Sequence, residues 1–237
     1  MQPEISIVIP VCNEVGNVIP LAEETIQTMS DLNRAFEIIY VDDGSTDNTW
    51  CEIKHLAGKY PMVHGVKHVK NYGQSAALIT GIESAHGELI ATLDGDMQND
   101  PKDLARLIKE INEFDAVVGV RRQRKDSWWK QVSAKLSRFA RALILGIDFQ
   151  DTGCGVRVFK KNVLKKAFIF DGFHRLFPIV IYLAGARVKE VYVNHRPRLV
   201  GRSKYGTWRR LWHGLVDLFV LAWYRTRRLS PQISEMT

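Results

Sequence analysis

Phe36-Glu37-Ile38-Ile39-Tyr40-Val41-Asp42-Asp43-Gly44-Ser45-Thr46-Asp47 decides the fold class. Its first half is a run of β-branched and aromatic residues, the composition of a strand. The run ends in two acids, a glycine and a serine, and Thr46-Asp47 then opens a helix through Trp50, Ile53 and Leu56. The same grammar extends in both directions. Upstream, Ile5 to Ile9 is a strand stopped by Pro10, and Val18 to Met29 carries Ile19, Ala22, Ile26 and Met29 at helical spacing. Downstream, strands are expected over Val63 to Val69, Glu88 to Leu93 and Ala116 to Val120. Helices are expected over Gln74 to Ser84 and from Asp100-Pro101 through Leu104, Leu107, Ile108 and Ile111. This alternation predicts an α/β fold, a mostly parallel sheet with helices on both faces. Ligands of such sheets sit outside the carboxyl ends of the strands. Those ends carry Glu14, Asp42, Asp43, Asp94, Asp96 and Arg121.

Beyond Arg121 the pattern changes. Trp128 to Leu145 has helical spacing, Phe173 to Ala184 reads as a helix with Pro178 as an irregularity, and Val188 to Val193 reads as a strand. Arg196 to Gly206 is a basic loop. Trp208, Trp212, Leu215, Val216, Phe219 and Trp223 then share one face of a C-terminal amphipathic helix. The expected organisation is one domain over 1–205, with 206–237 as a basic appendage.

The 237 residues suffice for one domain with a full core. With 46% hydrophobic and 25% charged residues, disordered, collagenous and low-complexity classes are excluded. The net charge of +7 hides an asymmetry: residues 1–120 hold 8 basic and 19 acidic side chains, and residues 121–237 hold 25 and 7. An acidic half suits a metal cation, and a basic half suits phosphates, nucleic acid or an anionic membrane surface. Cys12, Cys51 and Cys154 form no CxxC pair, so neither a disulfide framework nor a zinc site is expected. Met-Gln-Pro-Glu does not open a signal peptide. The apolar stretch from Leu211 to Tyr224, interrupted by His213 and Asp217, falls short of the ~20 residues that a spanning helix needs. A cytosolic setting is expected.

Leu93-Asp94-Gly95-Asp96-Met97-Gln98-Asn99-Asp100-Pro101 is the strongest local signal. Two carboxylates flank a glycine after a buried strand, so both can face one hard cation such as Mg²⁺ or Mn²⁺. An EF-hand is excluded, because its glycine and glutamate positions fall on Asn99 and Ala105. The competing reading is a turn and a helix cap, which is the expected role of Asp100 before Pro101. Ser45, Thr46 and Asp47 likewise suit a cap, whereas Asp42 suits a base or ribose. No GxGxxG follows the first strand, so a dinucleotide fingerprint is absent.

Ile9-Pro-Val-Cys-Asn-Glu14, Val41-Asp-Asp-Gly-Ser-Thr-Asp47, Lys70-Asn-Tyr-Gly-Gln-Ser75 and Asp94-Gly-Asp-Met-Gln-Asn-Asp-Pro101 together resemble the inverting glycosyltransferases of family two. Gly119-Val-Arg121, Asp151-Thr-Gly-Cys-Gly-Val-Arg157 and Arg198-Leu-Val-Gly-Arg-Ser-Lys-Tyr205 narrow the resemblance to the polyprenyl-phosphate sugar transferases, the group of dolichol-phosphate mannose synthase and bactoprenol glucosyltransferases. The resemblance implies a GT-A fold and a nucleoside-diphosphate sugar donor, UDP- or GDP-linked. By it, Pro10, Cys12, Glu14 and Asp42 hold the nucleoside, while Asp94, Asp96 and Gln98 hold Mg²⁺ or Mn²⁺ against the diphosphate. Arg121 adds a cationic contact to those phosphates. Within 1–205, residues 1–120 become the nucleotide-sugar half and 121–205 the acceptor half.

A lipid phosphate is already anionic, so it attacks without the carboxylate base that a hydroxyl acceptor requires. It needs cationic donors instead, and Arg157, Arg198, Arg202, Ser203 and Lys204 are expected to supply them. The competing reading of Arg202 and Lys204 is a solvated basic loop. Lys160, Lys161, Lys165 and Lys166 read as an exposed helix face, and Asp151 reads equally as a holder of a basic neighbour or a turn residue. Relatives often carry Arg before the acceptor helix, where Trp128-Trp129-Lys130 stands here. Phosphate contacts are therefore expected from Arg124, Lys130 or Ser133. Asp96, Arg121, Arg198 and Lys204 are the expected catalytic residues. The expected partners are the donor, a polyprenyl phosphate and an anionic membrane surface at the inner, cytoplasmic face. Nucleic acid is not expected, and homo-oligomerisation stays open. Many relatives also continue into membrane-spanning helices beyond the position of Thr237. Two alternatives remain at this point: a family-two enzyme acting on a glycan hydroxyl, and a nucleic-acid-binding module on the basic half. Against the second, the tryptophans follow helical periods rather than marking a stacking sheet.

Overall fold

Four successive strand–helix repeats open a seven-stranded sheet in the computed structural model, which describes residues 2–122, 138, 141–197 and 207–228. The elements are β1 (Ile5–Val11), α1 (Val18–Ser30), β2 (Phe36–Asp42), α2 (Thr49–Lys59), β3 (Val63–Lys67), α3 (Gln74–Ser84), β4 (Leu89–Thr92), α4 (Pro101–Glu110) and β5 (Ala116–Arg121). They continue with β6 (Arg157–Lys160), α5 (Phe177–Leu183), β7 (Val188–Val193) and α6 (Thr207–Arg227), with 3-10 turns at Lys161–Lys166 and Phe173–Arg175. The strand order is β3-β2-β1-β4-β6-β5-β7. The chain divides into two compact units, 1–125 with 149–202, and 126–148 with 203–237.

In the larger unit β1 is central and dry: Ile5, Ile7, Val8 and Ile9 are fully buried, as are Ile38, Tyr40 and Val41 of neighbouring β2. β1 pairs parallel with β2 and β4, so Val11 sits opposite Asp42 and Val8 opposite Thr92. This register brings the β2 and β4 acids to either side of the β1 terminus. α1 turns Val18, Leu21, Ala22, Thr25 and Met29 inward, close to the face read from its spacing. α4 starts at Pro101, and the Asp100 carboxylate accepts the Lys102 N–H at 3.0 Å, as expected of a cap.

The sheet departs from the predicted alternation at one strand. β6 is antiparallel to both β4 and β5 and separates them. Four residues are too short for an alternation signal, so Arg157–Lys160 was not legible as a strand. Lys161–Lys166 is a 3-10 turn rather than a helix face, and it lies away from the acidic strand ends, where Lys161 N donates to Glu88 O. Pro178 does not interrupt a helix; it occupies the first turn of α5, where its missing N–H costs nothing. β3 ends at Lys67, before the expected Val69.

In the smaller unit, residues 141–145 are helical and α6 follows later in the chain. Leu145, Ile147, Leu218 and Leu221 are buried, and the Arg225 guanidinium donates to the Leu145 carbonyl. Arg138 pairs with Asp148. Val216, Phe219, Trp223 and Leu143 are exposed. Trp128, Trp129 and the rest of the expected first helix up to position 137 lie outside the described residues, as do the side chains of Trp208, Trp212 and Leu215. Among the described residues no helix is long and apolar enough to cross a membrane.

Candidate active site

The loop after β1 is held from below by α2. Four consecutive amides are satisfied by side chains in or just before the first turn of that helix. Asn13 N donates to Ser45 Oγ at 2.9 Å, Glu14 N to Thr49 Oγ1 at 2.9 Å, Val15 N to Asp47 Oδ2 at 3.4 Å and Gly16 N to Glu52 at 2.9 Å. The expected cap is present only in part: Asp47 Oδ1 accepts the Thr49 amide at 3.0 Å, whereas the N-cap position is Asn48 and Ser45 instead shapes the Pro10–Glu14 loop, as Asp47 also does. Glu14 in turn accepts Asn17 Nδ2 at 2.8 Å.

Asp42 and Asp43 are adjacent, both buried, and differently used. Asp43 takes the amides of Tyr72 and Gly73 and the Nδ1 of His68, each at 2.8 Å. It locks the Lys70–Gly73 segment against the end of β2. Gly44 makes that approach feasible, because a methyl group there would collide with the Lys70 and Asn71 backbone. Asp42 accepts the Ser45 amide through Oδ1 at 2.9 Å. Its Oδ2 is buried without a hydrogen-bond partner, and Lys67 Nζ stands 3.9 Å away. A buried carboxylate oxygen left over at a strand end fits a donor group of a ligand. Cys12 closes the same corner, with Asn71 Nδ2 at 3.2 Å from its sulfur.

On the other side of β1, Asp94 leaves β4 half-buried, with Gln74 Nε2 at 3.0 Å and Asn99 Nδ2 at 3.3 Å from its two oxygens. Burial first, and the Asp96 charge second, push its carboxyl above the usual range. Gly155 lies directly beneath, and any side chain there would overlap the Asp94 carboxylate. Asp96 accepts the Gln98 amide at 3.2 Å, across Met97 with its φ of 61°. Gln98 turns toward the chain after β7, its Nε2 3.4 Å from Arg196 O and 3.5 Å from His195 Nε2.

Arg121 ends β5 in a two-pronged pair with Asp151, Nε to Oδ2 at 2.6 Å and Nη2 to Oδ1 at 2.8 Å. Burial opposes its charge, but these bonds outweigh that and hold the guanidinium fully cationic. Asp151 also accepts the Gly153 amide, so both roles expected of it are present. Arg157 is buried. Its Nε donates to Cys154 O at 2.7 Å, its Nη2 to His174 O at 2.5 Å, and its guanidinium lies 4.7 Å from the Phe177 ring centre. Both Arg121 and Arg157 act electrostatically on Asp94 and lower its pKa.

The structure thus gathers Pro10, Cys12, Glu14, Asp42, Asp94, Asp96, Gln98 and Arg121 around the carboxyl ends of β1, β2, β4 and β5. Arg157 starts β6, one hydrogen bond away from the Cys154 carbonyl. Arg124, Lys130, Ser133, Arg198, Arg202, Ser203 and Lys204 lie outside the described residues. Sequence reasoning missed Lys67, Asn71, Gln74, Asn99, His174 and Arg196. Asn71, Gln74 and Asn99 sat inside quoted motifs; Lys67, His174 and Arg196 are brought in by register. Ser75 Oγ, for example, meets His174 Nδ1 at 2.7 Å across 99 residues.

Residues 6–168 match the pattern of glycosyl transferase family 2. A dodecaprenyl-phosphate galacturonate synthase of Rhizobium johnstonii is 32% identical over 234 residues, which cover 96% of this chain and 69% of that protein. An undecaprenyl-phosphate 4-deoxy-4-formamido-L-arabinose transferase of Aeromonas hydrophila is 33% identical over 204 residues, 85% of this chain and 63% of that one. The chain therefore spans roughly two thirds of these relatives, or slightly less. Among solved structures, glucosyl-3-phosphoglycerate synthase from Mycobacterium tuberculosis, in complex with Mn²⁺, UDP and phosphoglyceric acid, superposes with a TM-score of 0.67 at 19% identity, over 96% of this chain and 80% of that one. A mannosyltransferase from Pyrobaculum calidifontis with GDP-Man and Mn²⁺ gives 0.61 at 19% identity, over 98% and 66%. Those two likenesses speak for the fold, which is GT-A-like. The match over more than half the chain, carried by strand ends that hold the Asp42 and Asp94 acids, makes this protein a member of glycosyl transferase family 2.

Proposed function

We propose that this glycosyltransferase moves one sugar from a nucleoside-diphosphate sugar to a polyprenyl phosphate, with inversion at the anomeric carbon, at the cytoplasmic face of a membrane. One observation carries the reading: the Asp94–Asp96 pair at the end of β4, with the buried Arg157 and half-buried Arg121 guanidinium groups in electrostatic reach of Asp94. The names of the two relatives support a polyprenyl-phosphate acceptor.

The donor set fits a hard divalent cation. Two carboxylates share one loop, and the charge of one disfavours ionisation of the other, so positive charge between them is favoured. Mg²⁺ and Mn²⁺ need only one or two such carboxylates, the remaining ligands coming from phosphates and water. Among the described residues no group of three or more His, Cys, Asp or Glu side chains is placed to hold a metal ion. Asp94, Asp96 and Gln98 would hold the ion, which would supply positive charge against the leaving nucleoside diphosphate.

Asp42 Oδ2 takes a donor from the nucleoside, beside Pro10, Cys12 and Glu14. Arg121, prevented from swinging by Asp151, meets the diphosphate. A lipid phosphate oxygen attacks the anomeric carbon while the bond to the diphosphate breaks and its electron pair leaves with the nucleotide; no proton is moved. Arg198, Arg202, Ser203 and Lys204, with Arg124, Lys130 or Ser133, hold the two anionic substrates together. Arg157, buried against the Cys154 and His174 carbonyls, adds its charge to that set. In this reading residues 1–205 are the catalytic domain and 206–237 a membrane-interface segment.

The test is a panel of radiolabelled nucleotide sugars incubated with polyprenyl phosphate and Mg²⁺ or Mn²⁺. Label from one donor should enter the organic phase, and EDTA should stop it. Label appearing only on a water-soluble glycan, or undiminished transfer in EDTA, overturns the acceptor or the metal respectively.

A further inference from the structure

Three groups outside the expected ligand set hold the Asp94 carboxylate. Its Oδ1 accepts Gln74 Nε2 at 3.0 Å, and its Oδ2 accepts Asn99 Nδ2 at 3.3 Å. Asn99 is buried, whereas Gln74 is exposed. Each amide has its own anchor. Gln74 opens α3, and the next residue, Ser75, is buried; its Oγ accepts the Gly172 amide at 2.9 Å and lies 2.7 Å from His174 Nδ1. Asn99 forms an isolated antiparallel bridge with His195. Gly155 supplies the third side, where a methyl group would overlap the carboxylate. Thr92 Oγ1 donates to Gly155 O at 2.6 Å and ties this floor to β4, the strand that delivers the acid.

We infer that Gln74 and Asn99 are positioning residues, which fix the orientation of the Asp94 carboxylate over Gly155 and thereby set the affinity of the site for a divalent cation. The inference rests on the metal reading of Asp94 and Asp96 given above. An ionised carboxylate offers about four lone-pair positions. The two amides take one on each oxygen and leave the others for an ion. A carboxylate free to turn about its own bond must be ordered when an ion binds, and one already held gives up less freedom. Partners that orient a metal ligand act in this way, and their loss lowers metal affinity by about 10–100-fold. Asn99 should count for more than Gln74. Water replaces a lost donor readily at an exposed position, whereas an acceptor facing the buried side stays short of one.

The experiment uses the full chain with Asn99→Leu and Gln74→Leu, beside Asp96→Asn. The probe is Mn²⁺, its binding followed by loss of the free-ion electron paramagnetic resonance signal. Asn99→Leu should raise the Kd for Mn²⁺ by about 10–100-fold, and Gln74→Leu should raise it by less, several-fold. Both variants should keep the wild-type affinity for UDP or GDP in EDTA, which a merely structural defect would lower. Gln74→Leu should also keep the wild-type melting temperature. Wild-type Mn²⁺ affinity in both variants overturns the positioning role, as does a loss of nucleotide affinity in EDTA equal to the loss for Mn²⁺. Should Asn99→Leu fail to fold, Gln74→Leu decides alone. Asp96→Asn separates this inference from the reading beneath it. If that variant weakens Mn²⁺ binding and the two amide variants do not, the metal site stands and the positioning role falls. If the wild-type chain binds no Mn²⁺, either alone or with UDP or GDP, both fall.

Discussion

β2 carries one buried carboxylate near each end, and the two have opposite fates. Glu37, near its start, is surrounded: Ser6 Oγ donates at 2.5 Å, the His86 amide at 2.7 Å and the His86 ring at 3.1 Å, with His64 at 3.7 Å. Burial alone would raise its pKa, but these donors outweigh burial and hold it below the ordinary glutamate value. Asp42, at the far end, is just as dry and keeps one oxygen with no hydrogen bond. A carboxylate whose donors are all internal stabilises the fold. One left short, at the end where ligands bind, is held there at a cost in stability. Asp94 belongs with Asp42, since burial and Asp96 work against its charge. Each substitution below should break stability at one end of the sheet or chemistry at the other.

The largest effect belongs to the β4 end. Asp96→Asn should lower kcat by roughly 10²–10³-fold, the usual cost of removing one electrostatic contact to developing charge. The fold should be intact, because the Asp96 oxygen that accepts Gln98 N has an amide equivalent. Measurement of turnover and melting temperature on one preparation checks both halves; wild-type rates remove Asp96 from the chemistry. Next comes Asp42→Asn, which should weaken nucleotide-sugar binding by ~1.5–3 kcal/mol, the value of a hydrogen bond to a charged group. Its melting temperature should stay close to that of the wild type, since the Ser45 amide keeps an oxygen acceptor and the oxygen that changes makes no hydrogen bond. Calorimetric titration with the donor reads this directly, and unaltered affinity moves the nucleoside elsewhere.

Glu37→Gln should do the reverse, sparing turnover and destabilising the fold by ~1–3 kcal/mol at neutral pH. The pH dependence has a definite sign. The folded-state pKa lies below the ordinary value of 4.5. The stabilisation from Glu37 is therefore complete above about pH 4.5 and is lost as pH falls through the lower, folded-state value. Denaturant midpoints measured from neutral pH down to that window should converge for wild type and Glu37→Gln. Parallel curves would mean that the carboxylate makes no special contribution.

How much of this was legible in the sequence depended on range. Strands such as Ile5–Val11 and Phe36–Asp42 announce themselves by composition, and their acids follow from position at a strand end. Glu37 lay in plain sight within the same strand, yet its partners Ser6 and His86 are 31 and 49 residues away. β6 was hidden because its pairing with β4 and β5 is non-local and only four residues long. Arg157 was read as a cationic donor to the acceptor phosphate; the carbonyls and the Phe177 ring that bury it are set by register and were not legible. Arg196 was read only as the first residue of a basic loop, because Glu24 and Asp100 meet it from 172 and 96 positions away. Local chemistry shows in sequence; what satisfies it does not.

The smallest expected effect concerns α6, where burial again separates structure from function on a single element. Leu218 and Leu221 are buried, whereas Val216, Phe219 and Trp223 are 42%, 63% and 61% exposed, on a helix that ends in Arg225, Arg227 and Arg228. In the proposed membrane-peripheral reading, the exposed apolar side chains enter the lipid interface and the arginines meet anionic headgroups at about 1 kcal/mol each. Full burial of an aromatic side chain is worth ~1.5–3 kcal/mol, and partial insertion is worth a fraction of that. Phe219→Asp with Trp223→Asp should therefore reduce sedimentation with anionic liposomes several-fold and leave melting temperature and donor affinity unchanged. Leu221→Asp should instead lower the melting temperature, because it places a charge in a buried position. Raising the salt should weaken wild-type sedimentation, since screening shortens the reach of the arginines. If the double variant sediments like the wild type, this face does not meet the membrane; if it unfolds instead, Phe219 and Trp223 belong to the packing of the smaller unit.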